Sequence, residues 1–105
     1  MIRLKDGARV AGMGTPLLLA LLIADEVYAV QDEVCVVTSI ADSKHSPGSL
    51  HYIGHAADLR MPGLNTKAAV LTELKSRLGS DYDVVLEADH IHIEYQPKRG
   101  VNLAL

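Results

Sequence analysis

Two histidines and an aspartate are the residues of this chain whose types and spacing suit metal chemistry. His51 and Asp58 stand seven residues apart in Ser49-Leu50-His51-Tyr52-Ile53-Gly54-His55-Ala56-Ala57-Asp58, and His92 follows in Asp89-His90-Ile91-His92. Zinc accepts imidazole nitrogen and carboxylate oxygen, and a catalytic zinc needs three protein ligands because its fourth position stays open for water or substrate. His51, Asp58 and His92 fill that count, with Zn2+ as the implied cofactor. Taken singly, each histidine reads as an ordinary surface or core residue and Asp58 as a strand-edge charge. The joint spacing is what favours ligands.

Strand parity sorts the neighbours of these residues. Residues 54–61 read as a strand with Gly54, Ala56, Asp58 and Arg60 on one face and Ala57, Leu59 and Met61 on the other. In the last strand His90, His92 and Glu94 share a face, while Ile91, Ile93 and Tyr95 point to a core. Asp89 falls at the turn Ala88-Asp89, where a carboxylate can swing toward the metal without ligating it. Hydrolysis of an amide needs a group that takes a proton from the attacking water and passes it to the leaving amine. Asp89 is the candidate base and His90 the candidate oxyanion stabiliser, although aspartate is also favoured at turns for backbone reasons. His45 and Ser49, on the polar loop that delivers His51, are expected to line the substrate groove. Lys44 and Arg60 read equally well as solvated surface, and His55, opposite in parity to Asp58, as structural or exposed.

The elements that must position these groups follow from pattern and punctuation. Residues 1–14 read as irregular. Thr15-Pro16 opens a helix running to about Gln31, with Thr15 as N-cap. Leu17, Leu21, Ala24 and Tyr28 form its buried stripe, and Leu18, Leu19, Leu22 and Ile23 widen the apolar surface beyond it. Residues 34–40 are β-branched and apolar, a buried strand. Pro62-Gly63 ends the strand that carries Asp58, Asn65 caps a second helix to Leu78, and Gly79 stops it. Two strands, from Tyr82 to Glu87 and from His90 to Gln96, complete the pattern.

Composition bounds the rest. The 105 residues, 49% hydrophobic, predict one domain with one core. A net charge of -3 argues against a phosphate-backbone binder, so nucleic acid is not an expected partner. The single cysteine, Cys35, sits in an apolar run and reads as a small buried hydrophobe. Arg3, Lys5 and Arg9 before an apolar run suggest an export signal, but the Thr15-Pro16 helix start and the continuation past Asp25 and Glu26 favour a helix of the fold. The run is too short to span a bilayer, which takes about 20 apolar residues. The expectation is a soluble protein with no membrane partner and without its own export signal.

Ser49-x-His51-x-x-Gly54-x-Ala56-x-Asp58 followed by Asp89-x-x-His92 resembles the zinc D-Ala-D-Ala carboxypeptidases and phage L-alanyl-D-glutamate endopeptidases, grouped by fold with lysostaphin-type enzymes and hedgehog domains. The resemblance covers about Thr15 to Tyr95. It implies that His51, Asp58 and His92 take the zinc positions, that Asp89 takes the position of the catalytic carboxylate, that His90 assists, and that Ser49 contacts substrate. Many relatives carry an arginine in the loop after the first core strand. This chain has Ser39 to His45 there without one, leaving Lys44 or His45 to substitute. The implied fold is α+β, a small antiparallel sheet with helices on one face and a zinc site in a groove on the other. The implied activity is hydrolysis of peptidoglycan stem peptides, as in phage lysis, and the implied location is the cytoplasm before release to the cell wall, or the virion. The competing reading is a non-catalytic zinc domain that binds a ligand or partner protein.

Overall fold

The computed structural model describes residues 2–8, 13–41 and 55–97. They form a small α+β domain: a five-stranded mixed sheet and two helices. In chain order the elements are β1 (Arg3–Leu4), α1 (Thr15–Val30), β2 (Val36–Ala41), β3 (Ala56–Arg60), α2 (Lys67–Leu78), β4 (Tyr82–Leu86) and β5 (His90–Tyr95). The strands lie in the order β1-β2-β3-β5-β4. All neighbours are antiparallel except β1 and β2, which run parallel. The expected sheet was wholly antiparallel and the expected N-terminus irregular. The difference is β1, whose backbone bonds to β2 include Arg3 N–H to Cys35 O at 2.9 Å and Lys5 N–H to Val37 O at 2.8 Å. A two-residue strand carries no alternation to read.

Register divides the sheet into two chemically different faces. The rows Val37–Leu59–Ile91 and Ala57–Ile93–Val84 lie under the helices and join Leu17, Ala20, Leu21, Ala24, Val27 and Tyr28 of α1 and Val70, Leu74 and Leu78 of α2 in one core. The opposite face carries Ser39, Asp58, His92 and Val85 in one row, with Arg60–His90 and Ala56–Glu94–Asp83 on either side. Both helices therefore cover one face, as their apolar stripes require.

Several contacts fix helices to sheet. Tyr28 donates its hydroxyl to Arg60 O at 2.7 Å, and Tyr82 donates to Pro16 O at 2.8 Å. Burial pushes the Tyr28 hydroxyl's pKa far above the usual phenol range, so it remains a donor. The expected caps shift by one residue each. Gly14 rather than Thr15 is the N-cap of α1, and Thr66 rather than Asn65 that of α2. At Gly14 a Cβ would stand 2.0 Å from His55 Nε2, so only glycine admits the histidine ring there. Before α2, the Glu33 carboxylate accepts from Gly63 N–H at 3.1 Å and Thr66 Oγ1 at 2.8 Å, organising the turn from outside the helix. Gly79 ends α2 with φ of 77°. Cys35 is fully buried, and burial first, then the charge of Asp25, pushes its thiol up to about 12, which suits packing and not nucleophilic chemistry.

Candidate functional site

Asp58 is the centre of a polar cluster on the sheet face opposite the helices. Its cross-strand partner on β5 is His92, and Asp58 Oδ1 lies 2.7 Å from His92 Nδ1. His90, two residues earlier on the same face, brings Nε2 to 3.3 Å from the same oxygen. Ser39 donates its hydroxyl to Asp58 Oδ2 at 3.0 Å. On the far side of His92, Nε2 meets Glu94 Oε1 at 2.9 Å, and Glu94 also accepts from the Gln96 side chain. Asp89 Oδ1 reaches His90 Nδ1 at 2.7 Å while its side chain stays 88% exposed. A continuous line runs from Asp89 through His90, Asp58 and His92 to Glu94.

The backbone explains why these groups meet. Asp58 and His92 face one another because β3 and β5 are antiparallel neighbours, and directly opposed side chains have Cβ atoms about 4.5–5.5 Å apart. Ser39 joins them through a β-bulge. Val37 and Ser39 would share a face in a regular strand, yet Val37 is in the core and Ser39 meets Asp58. The register shift between Val37 and Ser39 inserts Thr38 as the extra residue, whose hydroxyl donates to Asp58 O at 3.2 Å.

The electrostatics follow the partners. Burial alone would lower the His92 pKa, but the hydrogen bonds that its ring donates to Glu94 and Asp58 outweigh it and raise the value above that of ordinary histidine. Asp89 is lowered by its hydrogen bond to His90 and by that ring's charge, so it is a carboxylate at neutral pH. His55 packs edge-on to Tyr95 with ring centroids 5.3 Å apart, the structural one of its two expected alternatives, and burial lowers its pKa.

Of the sequence-selected residues, Asp58, His90, His92 and Asp89 come together on one face. His51, His45, Ser49 and Lys44 lie outside the described residues. Among the described residues no group of three His, Cys, Asp or Glu side chains is arranged to hold a metal. The donor chemistry of the Asp58–His92 pair nevertheless suits zinc. At 2.7 Å the two atoms share a proton, whereas two ligands of a tetrahedral zinc with bonds of about 2.0–2.1 Å stand about 3.3 Å apart. A spread of roughly 0.6 Å converts one arrangement into the other. Glu94 and Ser39 were not selected from the sequence. Parity placed Glu94 beside His92, which was the available signal, but the bulge that brings in Ser39 leaves none.

A groove of about 650 Å3 between α1 and α2, lined by Val27, Val30, Gln31, Ala69, Thr72 and Arg77, shares no residue with this cluster. No helix among the described residues is long and apolar enough to cross a membrane. The chain matches no family model, no curated protein and no solved structure.

Proposed function

We propose that the chain is a zinc-dependent peptidase that hydrolyses peptide bonds in peptidoglycan stems, of the D-Ala-D-Ala carboxypeptidase and L-alanyl-D-glutamate endopeptidase type, with a role in phage lysis. The observation that carries the reading is the Asp58–His92 pair, an oxygen and a nitrogen donor 2.7 Å apart on the sheet face opposite the helices, with His90 adjacent. His51, which lies between β2 and β3 in the sequence, would complete the ligand set with Asp58 and His92. Zinc, when bound, polarises the scissile carbonyl and lowers the pKa of water.

The chain's own residues supply the remaining work. Glu94 accepts the Nε2–H of His92 and fixes the ring, so that loss of the proton held between Nδ1 and Asp58 would leave the Nδ1 lone pair for the metal. Ser39 orients the second oxygen of Asp58. Asp89 is ionised and able to accept a proton from water, and its contact with His90 couples the base to the residue assigned to the oxyanion. His45 and Ser49 would border the substrate.

A second reading, a zinc domain that binds a partner without hydrolysis, draws on the outer side of α1, where Leu18, Leu19 and Leu22 are 46%, 53% and 53% exposed. Digesting purified peptidoglycan with and without a chelator, and identifying fragments by mass spectrometry, separates the two. Chelator-sensitive release of stem peptides supports the peptidase. Zinc binding without fragments from any peptidoglycan type supports the binding domain.

A further inference from the structure

The face opposite the helices continues beyond the Asp58 cluster into a corner of positive charge. Arg60, two residues from Asp58 on β3, is the cross-strand partner of His90. Across β2, Arg3 pairs with Val36 and Leu4 with the core residue Val37, so Arg3 and Lys5 lie on that same face. Arg3, Lys5 and Arg60 line a hollow of about 440 Å3 with Leu4, Val34 and Val36. Val36 is only 8% exposed although it stands outside the helix-covered core, which makes it the apolar floor of that hollow. Among the described residues none of the three cations takes part in an ion pair. In a chain of net charge -3, three cations converge here, and among the described residues no acidic one lines the hollow.

We propose that Arg3, Lys5 and Arg60 form a subsite for a carboxylate of the ligand that lies across the Asp58–His92 pair, a deepening that rests on the peptidase reading. Grouped like charges repel, and an oxyanion that accepts from them relieves the repulsion while forming charge-assisted hydrogen bonds. The two valines favour an aliphatic carbon skeleton behind the carboxylate. A short acidic peptide meets both conditions, and the pairing of Arg60 with His90 sets the subsite directly beside the polar cluster.

The test follows the amide signals of Arg3, Val36 and Arg60 in 15N-labelled full-length chain during titration with glutarate, inorganic phosphate, N-acetyl-L-alanyl-D-glutamate and the diamide of that peptide. The expected result is binding of the acid peptide at least about tenfold tighter than the diamide, with the difference lost in Arg3→Gln/Lys5→Gln and zinc content unchanged. If that double variant does not fold, Arg60→Gln supplies the same comparison. Equal binding of acid and diamide, or discrimination that survives the substitutions, overturns the proposal. Phosphate binding tenfold tighter than glutarate overturns its carboxylate assignment. Acid-selective binding without peptidoglycan cleavage retains the subsite and removes the peptidase reading, whereas cleavage without acid selectivity does the reverse.

Discussion

Asp58 and His92 are cross-strand partners whose carboxylate oxygen and Nδ1 stand 2.7 Å apart on the sheet face opposite the helices. As the two described members of the proposed zinc triad, they make a direct prediction. The parent chain binds one zinc per molecule by elemental analysis, and both Asp58→Asn and His92→Ala lose it. Zinc at about one hundred times its Kd stabilises the parent by about 2.7 kcal/mol, since only the folded state holds the ligands together. Neither variant gains that increment. An equal increment in His92→Ala would remove His92 from the ligand set.

Glu94 is 7% exposed and holds His92 by its second nitrogen. A carboxylate in this position raises ligand basicity and fixes the ring, effects worth about 10- to 100-fold in metal affinity. Glu94→Gln should therefore weaken zinc binding by that factor in a competition titration with a chelating dye, while the far-UV spectrum stays that of the parent. Unchanged affinity would reduce Glu94 to a packed polar residue.

What the sequence made legible was periodic, and what it hid was not. The parity of residues 90–95 alone separated Ile91 and Ile93 from His90, His92 and Glu94, because a two-residue period survives any register. The alternation of residues 56–60 placed Asp58 opposite to Leu59 in the same way. Ser39 escaped because the bulge at Thr38 reverses parity within one strand, and a bulge depends on the pairing strand as well as on the local residues. Glu33 escaped for a related reason: its hold on Gly63 and Thr66 spans about thirty residues of chain and leaves no local mark. The parallel edge strand β1 is too short to have a pattern.

The His92 pKa fixes a pH dependence for the zinc-free chain. Its folded value is raised, so the stabilisation from its contacts with Asp58 and Glu94 is fully present below the unfolded histidine value of about 6.5 and is lost as pH rises through the folded value. His55 acts in the opposite sense, because burial lowers its folded value and penalises folding at acid pH. Comparison with His92→Gln isolates the first effect. With chelator present, the difference in urea unfolding free energy between parent and variant should be larger near about pH 5.5 than near about pH 8.5. A difference independent of pH would mean that His92 does not gain a proton in the fold.

Asp89 provides the sharpest separation of enzyme from binding domain. Its side chain is 88% exposed and touches His90, not Asp58 or His92, so substitution disturbs neither of the described ligands nor the core. Asp89→Asn is nearly isosteric and keeps a group able to accept from His90 Nδ1, but it cannot take a proton from water. Loss of general base catalysis costs about 10²- to 10⁴-fold, so release of stem peptides should fall at least about a hundredfold with zinc content unchanged. The same contact that brings Asp89 to the site also depresses its pKa and weakens it as a base. Removing the ring in His90→Gln should therefore move the acidic limb of the pH–rate profile upward, toward the ordinary aspartate value, in addition to slowing turnover. An Asp89→Asn chain that cleaves as fast as the parent would leave Asp89 as a turn residue and pass the base role to His90 or Glu87.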